Sequence, residues 1–189
     1  MSKLESKSIK EKEMKSAKAE FADFKIIEEE WDLHKLHDGS LLRSRVILTG
    51  VLLHEKDLKK IIGKIEAGQE PLHGMTFRAK HFFEVEPLSS LRGSPDRKSY
   101  PISELRSCIV DEDIDFRTTR QSWNVYELEN GIKIKLRLSV TSISRTSKFD
   151  SYGMPIYIID SNIEGKTEIP DSWQNLSKGK KMKMHIEKQ

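Results

Sequence analysis

Apolar and polar residues alternate along residues 31–36 and again along 41–53, the spacing of half-buried β-strands, and Asp38-Gly39 sits between the two runs. Asp-Gly is a strong hairpin signal, because both central residues of a type I′ turn need positive φ. A two-residue turn of that kind sets Leu36 opposite Leu41, Leu33 opposite Ser44 and Trp31 opposite Val46. Trp31 then shares an inward face with Leu42 and Leu48. The outward face carries Asp32 opposite Arg45 and His34 opposite Arg43.

The pattern recurs 92 residues later. Asp23, Phe24, Trp31, Leu36, Gly39, Arg45 and Thr49 fall on Asp115, Phe116, Trp123, Leu128, Gly131, Arg137 and Thr141, which makes seven identities over 29 positions without a gap. Composition alone would give roughly two. Asn130-Gly131 supplies the second turn. The same register puts Val125 opposite Leu136 and Trp123 opposite Leu138, with Ile134 and Val140 on that inward side. Asn124 then stands opposite Arg137 and Tyr126 opposite Lys135 on the outward side. Both tryptophans read as core anchors.

Each hairpin is followed by a Gly-Met dipeptide and a further strand-like run, from Gly74-Met75 in the first unit and Gly153-Met154 in the second. The first unit holds extra residues before its third strand. Leu58, Ile61, Ile62 and Ile65 recur there at helical spacing, and Gly68 offers a stop. The second unit has a polar connection over 144–152. The expected fold is mainly β: two tandem hairpin-plus-strand repeats form a pseudo-twofold small barrel or sandwich, with a short helix inserted in the first. The expected divisions are a charged arm over 1–20, the first repeat over 21–87, a linker or excursion over 88–112, the second repeat over 113–170 and a basic tail over 171–189.

Composition sharpens this picture in a few places. The chain has 189 residues, 36% hydrophobic and 33% charged, with a net charge of +3. That balance is polar for a domain, which fits loose ends around a modest core, and it permits an anionic partner. Cys108 is the only cysteine, so a disulfide or an all-cysteine zinc site within one chain is excluded. No apolar run reaches the ~18 residues of a membrane span, and the N-terminal residues lack the apolar region of a secretory signal. A cytoplasmic protein without membrane contact is expected.

Signatures of catalysis are absent from the sequence. There is no phosphate-binding loop, dinucleotide fingerprint or nucleophile elbow. His34 and His37 lie three apart on a strand, which points them to opposite faces and argues against a shared metal. The acidic run over 111–115 lacks the central glycine of a calcium loop and reads as solvated. No cofactor and no metal are expected.

The suggestive feature is the outward face of the hairpins. Arg43 and Arg45 stand beside His34 in the first unit, and Lys133, Lys135 and Arg137 stand beside Tyr126 in the second. Cations at every second position next to a flat ring suit a sheet that holds phosphates and stacks bases. Lys178, Lys180, Lys181 and Lys183 extend the basic character into the tail. The bland reading is that alternating charge merely keeps an exposed strand soluble. The sequence therefore points to a non-catalytic binding module that contacts RNA or DNA through these residues. The alternative is an assembly or adaptor subunit of a protein complex, and the second alternative is an enzyme with a site between the repeats.

Overall fold

The computed structural model describes residues 19–54, 75–96 and 99–170. The helix expected over 56–67 and the basic tail with Lys178, Lys180, Lys181 and Lys183 lie outside the described residues, as does nearly all of the N-terminal arm. The fold is mainly β, with strands curled into a half-barrel. The strands are β1 (Ala19–Ala22), β2 (Phe24–Glu28), β3 (Asp32–Leu36), β4 (Leu41–His54), β5 (Met75–Glu86), β6 (Ile109–Asp111), β7 (Phe116–Arg120), β8 (Asn124–Leu128), β9 (Lys133–Phe149) and β10 (Pro155–Glu168). One short helix, α1 (Ile102–Ser107), precedes β6.

Two five-stranded antiparallel sheets result. The first holds β1, β3, β4, β5 and β7, and the second holds β2, β6, β8, β9 and β10. Each sheet borrows a strand across the chain. β2 precedes the first hairpin but pairs with β8, and β7 precedes the second hairpin but pairs with β3. The borrowed strands lie 92 residues apart, as do the hairpins they extend. The stretch expected to be a linker contributes α1 and β6, and β6 pairs with β9. The expected polar connection over 144–152 is largely strand, since β9 continues to Phe149.

The hairpin turns differ from the type I′ expectation, and the register changes with them. Asp38 and Asn130 do not have positive φ. Only Gly39 (φ 88°) and Gly131 (φ 81°) do. Leu36 N–H donates to the Ser40 carbonyl, and Gly39 N–H donates to the Leu36 carbonyl. The loop is thus three residues long, a tight turn closed by a left-handed glycine. Asp38 Oδ1 accepts from Ser40 N–H at 2.9 Å, and Asn130 Oδ1 accepts from Ile132 N–H at 3.2 Å. The extra loop residue slips β3 and β8 by one position, which turns every side chain on them to the other face.

β4 keeps the expected inward set of Leu42, Ser44, Val46 and Leu48, and Ser44 is now opposite Asp32 and Leu42 opposite His34. Asp32, His34 and Leu36 are buried, as are Asn124, Tyr126 and Leu128 in the second sheet. Trp31 and Trp123 are not core anchors. Both are half-buried on the outer face, beneath arginines. His34 and Tyr126 are likewise corrected from outward ring to interior residue. One core joins the inward faces of both sheets, with Val46, Leu48 and Val51 packed among Tyr126, Leu128, Ile132, Ile134, Leu136 and Leu138. The outward faces therefore point away from each other.

The buried polar groups are hydrogen-bonded. Asp32 Oδ1 accepts from Ser122 N–H at 2.8 Å, and Asn124 Oδ1 accepts from Glu30 N–H at 2.9 Å. Burial raises the Asp32 pKa, opposed by the Ser122 hydrogen bond and by Arg120 and Arg137. Tyr126 hydroxyl accepts from Leu48 N–H at 3.2 Å and donates to the Val46 carbonyl at 3.4 Å. His34 bonds Thr118 Oγ1 at 3.0 Å and Ser44 Oγ at 2.9 Å, and burial lowers its pKa. Tyr157 clamps the first turn to the second sheet by donating to Asp38 Oδ2 at 2.8 Å while bonding Ser40 Oγ, and burial pushes its phenol up to about 12.

Tyr126→Phe removes the acceptor of a buried N–H and should cost about 1–3 kcal/mol in urea unfolding. An unchanged midpoint would show that the hydroxyl does not hold the sheets together. His34 predicts a pH effect. Its folded pKa is below the unfolded value of 6.5, so its contribution is complete above that value and drains as pH falls towards the folded pKa. Unfolding at about pH 7.5 and about pH 5 should show a smaller loss for His34→Gln than for the parent chain.

Candidate functional site

Register decides which charges share a surface. On the outer face of the first sheet, β4 presents Leu41, Arg43, Arg45 and Ile47. Their partners on β5 are Glu86, Glu84, Phe82 and Lys80. On the other side, Lys35 is opposite Leu41, and Leu33 is opposite Arg43. β7 extends these rows, with Arg117 opposite Lys35 and Arg120 opposite Leu33. Directly opposed residues have Cβ atoms about 4.5–5.5 Å apart. Lys35 and Arg117 are thus neighbouring like charges, an arrangement that costs stability when nothing offsets it.

Three cations of this face are engaged, the first being Arg78, which stacks over the Phe21 ring at 5.5 Å. Arg45 stacks over the Trp31 ring at 4.6 Å and meets Glu29 at 3.5 Å. Arg120 meets Glu30 at 3.8 Å and donates from Nε to the Trp31 carbonyl. Lys35, Arg43 and Arg117 are exposed and form no ion pair among the described residues.

The second sheet carries a similar number of cations and pairs two of them with carboxylates of β10. Lys135 meets Glu168 at 2.6 Å, and Arg137 meets Glu164 at 2.5 Å. Hydrogen bonds from Ser139 and Arg137 hold the Glu164 carboxyl below the usual carboxylate range. Lys133 is opposite both Glu127 and Glu168. Arg137 and Lys166 both stack on Trp123 at 4.7 Å. At the position matching Lys35 and Arg117, this sheet has Glu127 and Lys25 in a 3.0 Å salt bridge.

A shallow depression marks each matched position. One of about 350 Å³ is lined by Lys35, Leu36, His37, Asp115, Phe116 and Arg117. The other, of about 290 Å³, is lined by Asp23, Phe24, Lys25, Glu127, Leu128 and Glu129. Corresponding residues are 92 apart throughout. The first depression has two permanent cations against one carboxylate, and the second has one cation against three carboxylates. The two units thus place the same concavity on opposite charges.

Of the residues singled out in the sequence, Arg43 and Arg45 share one outer face, and Lys133, Lys135 and Arg137 share the other. His34 and Tyr126 are inside and touch neither. Sequence reasoning missed Lys35, Arg117, Lys80 and Phe82. Lys80 and Phe82 share the parity of Arg78 along β5 and could have been read as one outward row. Arg117 could not, because its neighbour Lys35 is reached only through the borrowed strand. Among the described residues no group of three His, Cys, Asp or Glu side chains could hold a metal ion, and no helix is long and apolar enough to cross a membrane. No protein-family model, curated protein or solved structure matches the chain.

If carboxylates of β10 silence the second face, removing them should expose its cations. Glu164→Gln with Glu168→Gln is expected to raise affinity for immobilised heparin, seen as later elution in a salt gradient. Unchanged elution would mean that Lys135 and Arg137 are not held back by these carboxylates.

Proposed function

We propose that the protein is a non-catalytic nucleic-acid-binding module whose contact surface is the outer face of the first sheet. The observation that carries this reading is the Lys35–Arg117 pair. It sets like charges side by side, with Arg43 nearby, whereas the matching position of the second sheet is closed by a salt bridge. A polyanion offsets that repulsion by laying phosphates along the cations and releasing its counterions. Lys35, Arg43 and Arg117 are the phosphate contacts. Lys135 and Arg137 contribute little while paired, Lys133 faces two carboxylates, and Lys178, Lys180, Lys181 and Lys183 add sequence-independent attraction from the tail.

The same reading takes the two units as copies of one ancestral hairpin unit that have diverged in charge. Its support is the common 92-residue offset of the borrowed strands, the hairpins, the left-handed glycines and the two depressions. A second reading, assembly with a protein partner, has one observation in its favour. Edge strand β2 exposes Ile26 (58%) and Ile27 (50%), where the matching edge strand β7 has Thr118 and Thr119. A stoichiometric protein that stays bound after nuclease treatment would favour it.

The first reading predicts an affinity that falls steeply with salt. Reversing Lys35, Arg43 and Arg117 to Glu should abolish binding at ~150 mM salt, and neutralising any one should flatten the log–log salt slope by about 0.7–0.9. Reversing Lys135 and Arg137 should do much less. Salt-insensitive binding, or equal loss from both sets, would contradict the assignment.

A further inference from the structure

The basic face is not uniformly charged, and two exposed aromatic rings lie on its sheet: Phe21 on β1, 63% exposed with Arg78 stacked over it at 5.5 Å, and Phe82 on β5, which no cation covers at stacking distance among the described residues. Phe82 is 43% exposed, on a strand whose alternate residues Phe83 and Val85 turn inward against the core. It lies directly opposite Arg45 across the β4–β5 ladder. Along its own strand, Lys80 is two residues away, a separation of about 7 Å. Arg43 is its diagonal neighbour, at about 7–8 Å. Phe82 therefore has cations on two sides, Lys80 along β5 and Arg45 with Arg43 across on β4, with Glu84 next along the strand and the open edge of β5 on the remaining side. Leu41, also 43% exposed, continues the apolar content towards Lys35.

The cations and the ring define one diagonal path. It starts at Arg78 and Lys80 on β5, crosses Phe82 and Arg45, passes Arg43 and ends at Lys35 and Arg117. Three inter-strand steps and about eight residues of strand rise make it about 30 Å long. Glu84 and Glu86 lie beside the path and repel a phosphate chain that strays from it. At the far end, the depression between Lys35 and Arg117 has Leu36 and Phe116 in its lining.

Duplex nucleic acid presents phosphates outward and hides its base faces in the stack. It could use the cations but would leave Phe82 uncovered. A single strand can lay a base on the ring while its flanking phosphates meet Arg43 and Lys80. We infer that the ligand of this face is single-stranded nucleic acid, with Phe82 as the base-stacking platform. The inference rests on the anion-binding reading above and narrows its substrate class.

The test uses the full chain and three probes at low salt: a labelled oligopyrimidine of about twelve nucleotides as DNA and as RNA, a duplex of the same length, and heparin as a polyanion without bases. The single strands should bind at least about tenfold more tightly than the duplex. Phe82→Ala and Phe82→Leu should each weaken single-strand binding about tenfold and leave heparin binding unchanged. Phe82→Leu keeps apolar cover on the sheet, so loss in both variants with unaltered melting separates stacking from folding. A duplex bound as tightly as the single strand, or unchanged binding in both variants, overturns the stacking role while leaving the anion-binding reading intact. Failure to bind all three probes overturns both.

Discussion

The structure depends on two three-residue turns, each closed by a left-handed glycine. Gly39 and Gly131 let each hairpin loop hold one residue more than a type I′ turn. That residue fixes which side of β3 and β8 faces inward, and with it the identity of the core. Asp32, His34 and Asn124 go inside, where an apolar set from Trp31, Leu33 and Val125 would otherwise have gone. The cost of burying polar groups is met because each finds a partner: Ser122 N–H for Asp32, Glu30 N–H for Asn124, and Thr118 with Ser44, on the neighbouring strands of its own sheet, for His34.

The same slip accounts for the outer faces. The tryptophans leave the core and become platforms for Arg45 and Arg137, and the position of Lys35 on β3 shifts to the outward row. Strand exchange completes the arrangement. The free sides of β3 and β8 are filled by strands that precede the other hairpin, so β7 brings Arg117 against Lys35, and β2 brings Lys25 against Glu127. One architectural device thus yields a like-charged Lys35–Arg117 pair in one sheet and a salt-bridged Lys25–Glu127 pair at the matching position of the other. The contrast comes from a few side chains on matching strand pairs.

Much of this was legible in the sequence. Alternation located β3, β4, β8 and β9, the Gly-Met dipeptides located the starts of β5 and β10, and the inward face of β4 was read correctly from Leu42, Val46 and Leu48. The register was not legible. Asp-Gly and Asn-Gly fit a two-residue turn and a three-residue turn equally, and the alternatives differ by one residue and by every facing side chain. Trp31 opposite Val46 gave the more apolar interior, so hydrophobicity favoured the wrong one. Partner choice for β2 and β7 was also hidden, because a borrowed strand depends on tertiary proximity and leaves no local mark. Arg117 next to Lys35 was invisible for that reason.

The central claim is that nucleic acid is held on the outer face of the first sheet. Backbone amide shifts, followed by NMR while a short single-stranded oligonucleotide is titrated at low salt, test it most directly. The account predicts shifts clustered at Lys35, Arg43, Lys80, Phe82 and Arg117, with the outward residues of β9 and β10 unmoved. Shifts centred on Lys135, Arg137 and Glu164, or none at saturating oligonucleotide, would contradict it.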